Sequence, residues 1–231
     1  VIVGGGPAGL AAALKARPLP NYTKTEEMMN SVSHGISALI GVYVLITCFS
    51  ASVGTVSKIG SLVYGISMIL LYTMSCVYHG IRQDNVLTKQ IFRIVDHCTI
   101  YVLIAGTYTP VILNIMYPDS PAKALAILAG IWAAAGLGIA LTAIDLQKYS
   151  KFSMACYIAL GWFALFIVKP IVNGAGMAGM MLLLGGGISY TVGAVIYGIG
   201  KKKRYMHFVF HIFVILGTLL HYMCIINYVI R

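Results

Sequence analysis

An all-α bundle of seven membrane-spanning helices is the fold class this sequence predicts, and three observations predict it. The first is composition: 59% of the 231 residues are hydrophobic and only 10% are charged, where soluble chains are about 25% charged. The second is periodic length. A membrane helix needs about 20 apolar residues, and such runs recur over approximately 31–53, 57–81, 91–116, 121–144, 152–172, 177–200 and 205–230. The third is where the charge falls. The net charge is +10, but the basic residues cluster at the ends of the apolar runs, as membrane topology requires and nucleic-acid binding does not.

Each run ends at a turn or charge signal. The breaks are Gly54, the Arg82–Lys89 stretch, Tyr117-Pro118-Asp119, Asp145–Lys151, Asn173-Gly174 and Lys201–Arg204. Loops this short make neighbouring spans antiparallel. The side carrying the N-terminus then holds twelve of the Lys and Arg residues, and the other side holds Lys58, Lys123, Lys169 and Arg231, which accounts for all 16. The bias places the N-terminus in the cytoplasm and the C-terminus outside. Lys169-Pro170 reads as a snorkelling cation at a helix end. The Lys201–Arg204 run reads as a topology signal in contact with headgroups. Gly185-Gly186-Gly187 and the 133–135 alanines suit close helix packing. The five cysteines (Cys48, Cys76, Cys98, Cys156 and Cys224) lie singly in apolar runs and read as small buried hydrophobes rather than a disulfide framework.

The chain opens with VIVGGGPAGLAAALKAR, in which Gly4, Gly6 and Gly9 follow an apolar triplet. The pattern resembles the start of a dinucleotide-binding fold, with Glu26 and Glu27 near the spacing of a ribose-binding acid. The context fails, because ARPLPNYTKT is no strand and a membrane run follows directly. Residues 1–21 therefore read as an appended, fused or mis-called leader without a role in the core function. Residues 22–231 form the seven-helix domain.

Ionisable groups inside a span are costly and usually functional. Here they are His34, His79, Asp96, His97, His207, His211 and His221. His207 and His211 are four residues apart, so they stand one turn apart on one helical face and can hold one metal ion. Ser75 and His79 repeat that spacing. His79 lies about one turn from the boundary at Arg82, and Asp96 lies one turn beyond Arg93. His207 and His211 sit roughly 5–10 Å deep at 1.5 Å per residue. Three segments thus bring metal-ligand chemistry to one thin layer. Three histidines leave a coordination position for water, which is the catalytic zinc pattern, whereas structural sites are closed by four protein ligands. Asp96 is placed to accept the proton of that water or to orient it, and Ser75 to hydrogen-bond the water or a substrate carbonyl. The alternative for the histidines is interhelical hydrogen bonding. His97 points about 100° from Asp96 and reads as an interhelical donor. His221, near mid-membrane and well off the His207 face, reads as structural. His34, at the right depth on the first span, is a candidate to support the ligands.

These residues carry a resemblance. EEMMNSVSHG, SCVYHG, FRIVDHCTIYVLIAGTYTP and HFVFHIF resemble the bacterial hemolysin III family, within the wider progestin and adipoQ receptor (adiponectin-receptor-like) superfamily. The likeness runs from Thr25 to Arg231. It implies that His79, His207 and His211 are zinc ligands, that Asp96 holds water and that Ser75 assists. It also implies a relation to membrane hydrolases that cut amide bonds in lipids, together with the older label of cytolysin. Three functions follow as expectations. The leading one is a zinc-dependent hydrolase of lipid amides or esters in the bacterial inner membrane, with membrane lipids and no nucleic acid as partners. The alternatives are a non-enzymatic receptor or stress sensor with structural zinc, and a membrane-damaging cytolysin.

Overall fold

The computed structural model describes Leu14, residues 18–200 and residues 203–230. Gly4, Gly6 and Gly9 lie outside them. The described residues form α1 (Lys24–Ala51), α2 (Gly54–Gly80), α3 (Val86–Val111), α4 (Pro121–Ile144), α5 (Ser150–Gly161), α6 (Val168–Gly200) and α7 (Met206–Cys224). A 3-10 segment, Trp162–Ile167, joins α5 to α6, and π-helical turns extend α3 (Ile112–Met116) and α7 (Ile225–Val229).

Local chemistry sets the ends. Thr23 and Glu26 form a reciprocal capping box at the start of α1, which satisfies donors the first turn would leave orphaned. Pro121 opens α4, where a missing N–H costs nothing. Pro110 inside α3 lies two residues before the π-helical turn, where the backbone can adjust to the interruption.

Among the described residues, six segments are long and apolar enough to cross a membrane: Lys24–Ala51, Gly54–Gly80, Val86–Met116, Pro121–Ile144, Ser150–Gly200 and Met206–Val229. The fifth has 51 residues. As one straight helix it would run about 75 Å, against a hydrocarbon core of about 30 Å. It does not run straight. Gly176 has φ 71° and ψ 177°, a region essentially restricted to glycine. Around it the chain reverses, so that Trp162 Nε1 donates to Thr191 Oγ1 at 3.0 Å. The helix thus persists past Lys169-Pro170 and Asn173-Gly174, and the break falls where the backbone geometry demands glycine.

Polarity is inside out. Leu39, Ile46, Ile66, Leu137, Phe166, Ile188 and Ile199 are exposed, while Asn30, His34, Ser75, His79, Lys89, Gln90 and His211 are buried. Of the three consecutive glycines, Gly186 makes the close approach: α6 and α7 come so near there that a Cβ would lie 3.0 Å from the Gly217 carbonyl oxygen. Gly187 faces open space. Of the 133–135 alanines, Ala135 is buried and its two neighbours are exposed. All five cysteines are free thiols.

Candidate metal centre

The start of α1, the end of α2, the start of α3 and the start of α7 meet at one end of the bundle. His79 Nε2 lies 3.1 Å from His207 Nε2, which lies 3.1 Å from His211 Nε2. The ligand atoms of the three all fall within 4.8 Å of one another. The i, i+4 spacing on α7 places His207 and His211 on one face, and the antiparallel return of α2 brings His79 across to them.

Proton positions follow from the partners. Glu27 Oε2 sits 2.6 Å from His79 Nδ1, and a carboxylate only accepts, so Nδ1 carries a hydrogen and in the neutral ring Nε2 is bare. Ser33 Oγ spends its single proton on the Asn30 carbonyl, so at 3.3 Å it accepts from His211 Nδ1. His211 Nε2 is therefore bare as well. One hydrogen on His207 Nε2 can answer only one of its two 3.1 Å contacts. A divalent cation answers all three lone pairs. Two nitrogens about 2.05 Å from a tetrahedral zinc would be about 3.3 Å apart, close to the spacing here. The three histidines can hold a metal ion, and an imidazole set suits zinc, copper, iron or nickel.

The surroundings are polar and crowded. The His34 ring stacks on His211 with centroids 3.6 Å apart and planes 5° from parallel. Both nitrogens of His34, the side-chain amide of Asn30 and His207 Nδ1 are buried with no hydrogen-bond partner among the described residues. Orphaned polar atoms gathered around one point mark a site that takes solvent, an ion or a ligand. Tyr22 stacks on the His207 ring at 5.0 Å. Burial holds its phenol well above the ordinary value, so it remains a neutral hydroxyl.

Glu27 and Lys89 are the residues that sequence reasoning missed. Lys89, expected among the loop charges, has a side chain with no exposure and reaches Glu27 Oε1 at 3.0 Å. It also donates to the carbonyls of Tyr78 and Ile81 at 3.0 and 2.7 Å. The physical reason is that α3 begins at Val86, so Lys89 lies one turn inside a helix. Gln83 Nε2 adds a 2.7 Å bond to Glu27. The pair considered as a ribose-binding acid thus divides its work. Glu26 caps α1 and accepts from the Tyr205 backbone N–H at 2.6 Å, while Glu27 anchors His79.

A cavity of about 430 Å³ leads away from the cluster. Ser75, Asp96, His34, His207 and His211 line it together with Leu71, Ile100, Ile104, Val111, Ile171 and Val214. Asp96 faces this cavity without belonging to the three-histidine group. Two expectations need correction. His97 Nδ1 lies 2.8 Å from the Arg93 carbonyl, so it is satisfied within its own helix rather than between helices. His221 lines the same cavity as His207. Fourteen residues make nearly four turns, which returns it to within about 40° of the His207 direction.

A family described as "Haemolysin-III related" matches residues 22–222. The chain belongs to that family. It is 36% identical over 208 residues to "Hemolysin-3" of Bacillus cereus, covering 89% of this chain and 92% of that one. It is 35% identical over 213 residues to "Hemolysin-3 homolog" of Bacillus subtilis (strain 168), covering 91% and 97%. More distantly, it is 26% identical over 177 residues to the human "Monocyte to macrophage differentiation factor", covering 75% and 72%.

Proposed function

We propose that this haemolysin-III-related protein is a seven-span hydrolase of lipid amides or esters, with zinc on His79, His207 and His211. The observation that carries the reading is the three-imidazole cluster, of which His207 and His211 line a largely apolar cavity that also presents Asp96 and Ser75. A structural zinc site is closed by four protein ligands, whereas a catalytic one keeps a position free. Zinc held there supplies a water of near-neutral pKa and polarises a carbonyl.

The chain's own groups do the rest. Asp96 takes the proton from the attacking water and returns it to the departing amine or alcohol. Ser75 orients the carbonyl. Glu27 fixes the His79 ring, and the apolar wall accepts the acyl chain. The reversal at Gly176 supports seven spans, and the uneven Lys and Arg count supports a cytoplasmic N-terminus. In a bacterium the site then lies at the inner face of the plasma membrane.

Metal content and turnover test this. Purified protein should carry near one zinc per chain, lost in His207→Ala/His211→Ala, and should cleave a lipid amide or ester. Asp96→Asn should keep the zinc and lose about 10²–10⁴-fold in rate, the usual worth of general acid–base catalysis. Well-folded protein with no metal, or a fully active Asp96→Asn, would refute the mechanism. A second reading rests on the way the cluster ties α2 to α7. Zinc would then be a staple in a non-enzymatic receptor or sensor, and its removal would lower thermal stability with no turnover at any lipid.

A further inference from the structure

The cavity has a second polar station, far from the histidine cluster. Its central group is His221. Nε2 lies 3.1 Å from the Leu183 carbonyl oxygen, which only accepts, so Nε2 carries the hydrogen. Nδ1 is then a bare acceptor, buried and without a partner among the described residues. The ring is held firmly, because Gly186 leaves room for it that any Cβ would fill.

The neighbouring hydroxyls have no proton to offer His221. Thr218 donates to the Val214 carbonyl at 3.0 Å. Tyr190, edge-on to His221 with ring centroids 5.3 Å apart, is 2.8 Å from Thr218 Oγ1 and must therefore donate to it. Thr191 donates to the Gly187 carbonyl at 2.8 Å, and the Trp162 N–H is given to Thr191. His221, Tyr190, Thr191 and Trp162 all line the cavity. The polar atoms at this end are thus acceptors, with His221 Nδ1 enclosed and unpaired beside the cavity wall. A buried acceptor left unpaired is costly, and only a group bringing its own hydrogen corrects it.

We propose that this end of the cavity is a subsite for a hydroxyl or N–H group carried within the ligand's apolar chain. His221 is ten residues from His211 on the same helix, about 15 Å at 1.5 Å per residue. The ligand class is therefore a long-chain lipid with a mid-chain hydroxyl about 15 Å from the headgroup held at the histidines. The inference deepens the lipid reading above and rests on it for the anchoring of the head.

The test is binding to full-length, detergent-purified protein. The probes are an unsubstituted eighteen-carbon fatty acid, its mid-chain hydroxy isomer and the isomer hydroxylated beside the carboxylate. The mid-chain isomer should bind about tenfold tighter than the other two, the worth of one buried hydrogen bond. His221→Leu should abolish that preference and leave the unsubstituted acid bound as before. Equal binding of all three, no binding of any, or a preference that survives His221→Leu would overturn the proposal. A water already bridging Nδ1 would give the equal-binding result. Should His221→Leu fail to fold, the wild-type isomer series decides the question alone. Metal content and turnover of the wild-type protein, measured beside binding, separate this idea from the hydrolase reading. A mid-chain preference in wild-type protein that shows neither metal nor turnover sinks the hydrolase and keeps the subsite. Turnover with no hydroxyl preference sinks the subsite alone.

Discussion

Replacing Glu27 by glutamine removes one charge from the centre of a buried network and leaves its shape. The carboxylate takes three donors: His79 Nδ1 at 2.6 Å, Gln83 Nε2 at 2.7 Å and Lys89 Nζ at 3.0 Å. The side chains of His79 and Lys89 have no exposure, and that of Glu27 has 9%. Two losses follow, and they are separable. The His79 ring loses the anion that orients it and strengthens its basicity. Such partners are typically worth about 10–100-fold in metal affinity, or about 1.4–2.8 kcal/mol. The ammonium of Lys89 loses its counter-charge, and breaking a buried pair from one side costs about 3–5 kcal/mol. Because Lys89 keeps the Tyr78 and Ile81 carbonyls, the lower end, ~3 kcal/mol, is expected. The double variant Glu27→Gln/Lys89→Met removes the orphaned charge. It should recover most of the thermal stability and none of the metal affinity. Competition with a coloured chelator reads the affinity, and thermal unfolding in detergent reads the stability. If Glu27→Gln binds metal as tightly as the wild type, or if the double variant regains affinity along with stability, Glu27 does not act on the metal through His79.

Three further outcomes follow from the geometry. Gly176→Ala forces a side chain into a backbone region essentially reserved for glycine and should lower stability by about 1–3 kcal/mol; an unchanged melting temperature would mean that the reversal is not strained there. Tyr22→Ala uncovers the His207 ring, so a chelator should strip the metal faster while the equilibrium affinity changes little; equal stripping times would refute the covering role. Removing metal from the wild type should lower the melting temperature, because a ligand bound only to the folded state stabilises it by mass action, and the His207→Ala/His211→Ala protein should show no response to the same chelator.

The membrane class was legible because composition and run length respond to the bilayer directly. The cluster was legible because an i, i+4 pair encodes a shared face and depth can be counted from the nearest charge. Glu27 was not legible from spacing: its partner His79 is 52 residues away, and its neighbour Glu26 satisfies the local capping signal. A usable clue was present, since the chain holds only 6 acidic residues and a carboxylate at the mouth of a span requires a partner. Lys89 was hidden by a boundary error of a few residues, which turned a helical position into a loop charge. The hairpin was half legible: an Asn-Gly pair marked the break, but Gly176, two residues on, carries the positive φ.

The two halves of the candidate metal centre are made at different times. Glu27, His79 and Lys89 belong to the first three helices, and domains gain structure from the N-terminus during synthesis. Once α3 is inserted, the carboxylate and ammonium can neutralise each other and His79 can be aimed, before α7 has been added. His207 arrives 128 residues after His79, and the Tyr205 N–H that clasps Glu26 lies 179 residues beyond its acceptor. A chain stalled before α7 would thus hold a paired, membrane-compatible half-site with one of the three clustered imidazoles. Metal uptake would then mark the completion of insertion, and chains truncated before the last helix should remain metal-free however well their first helices assemble.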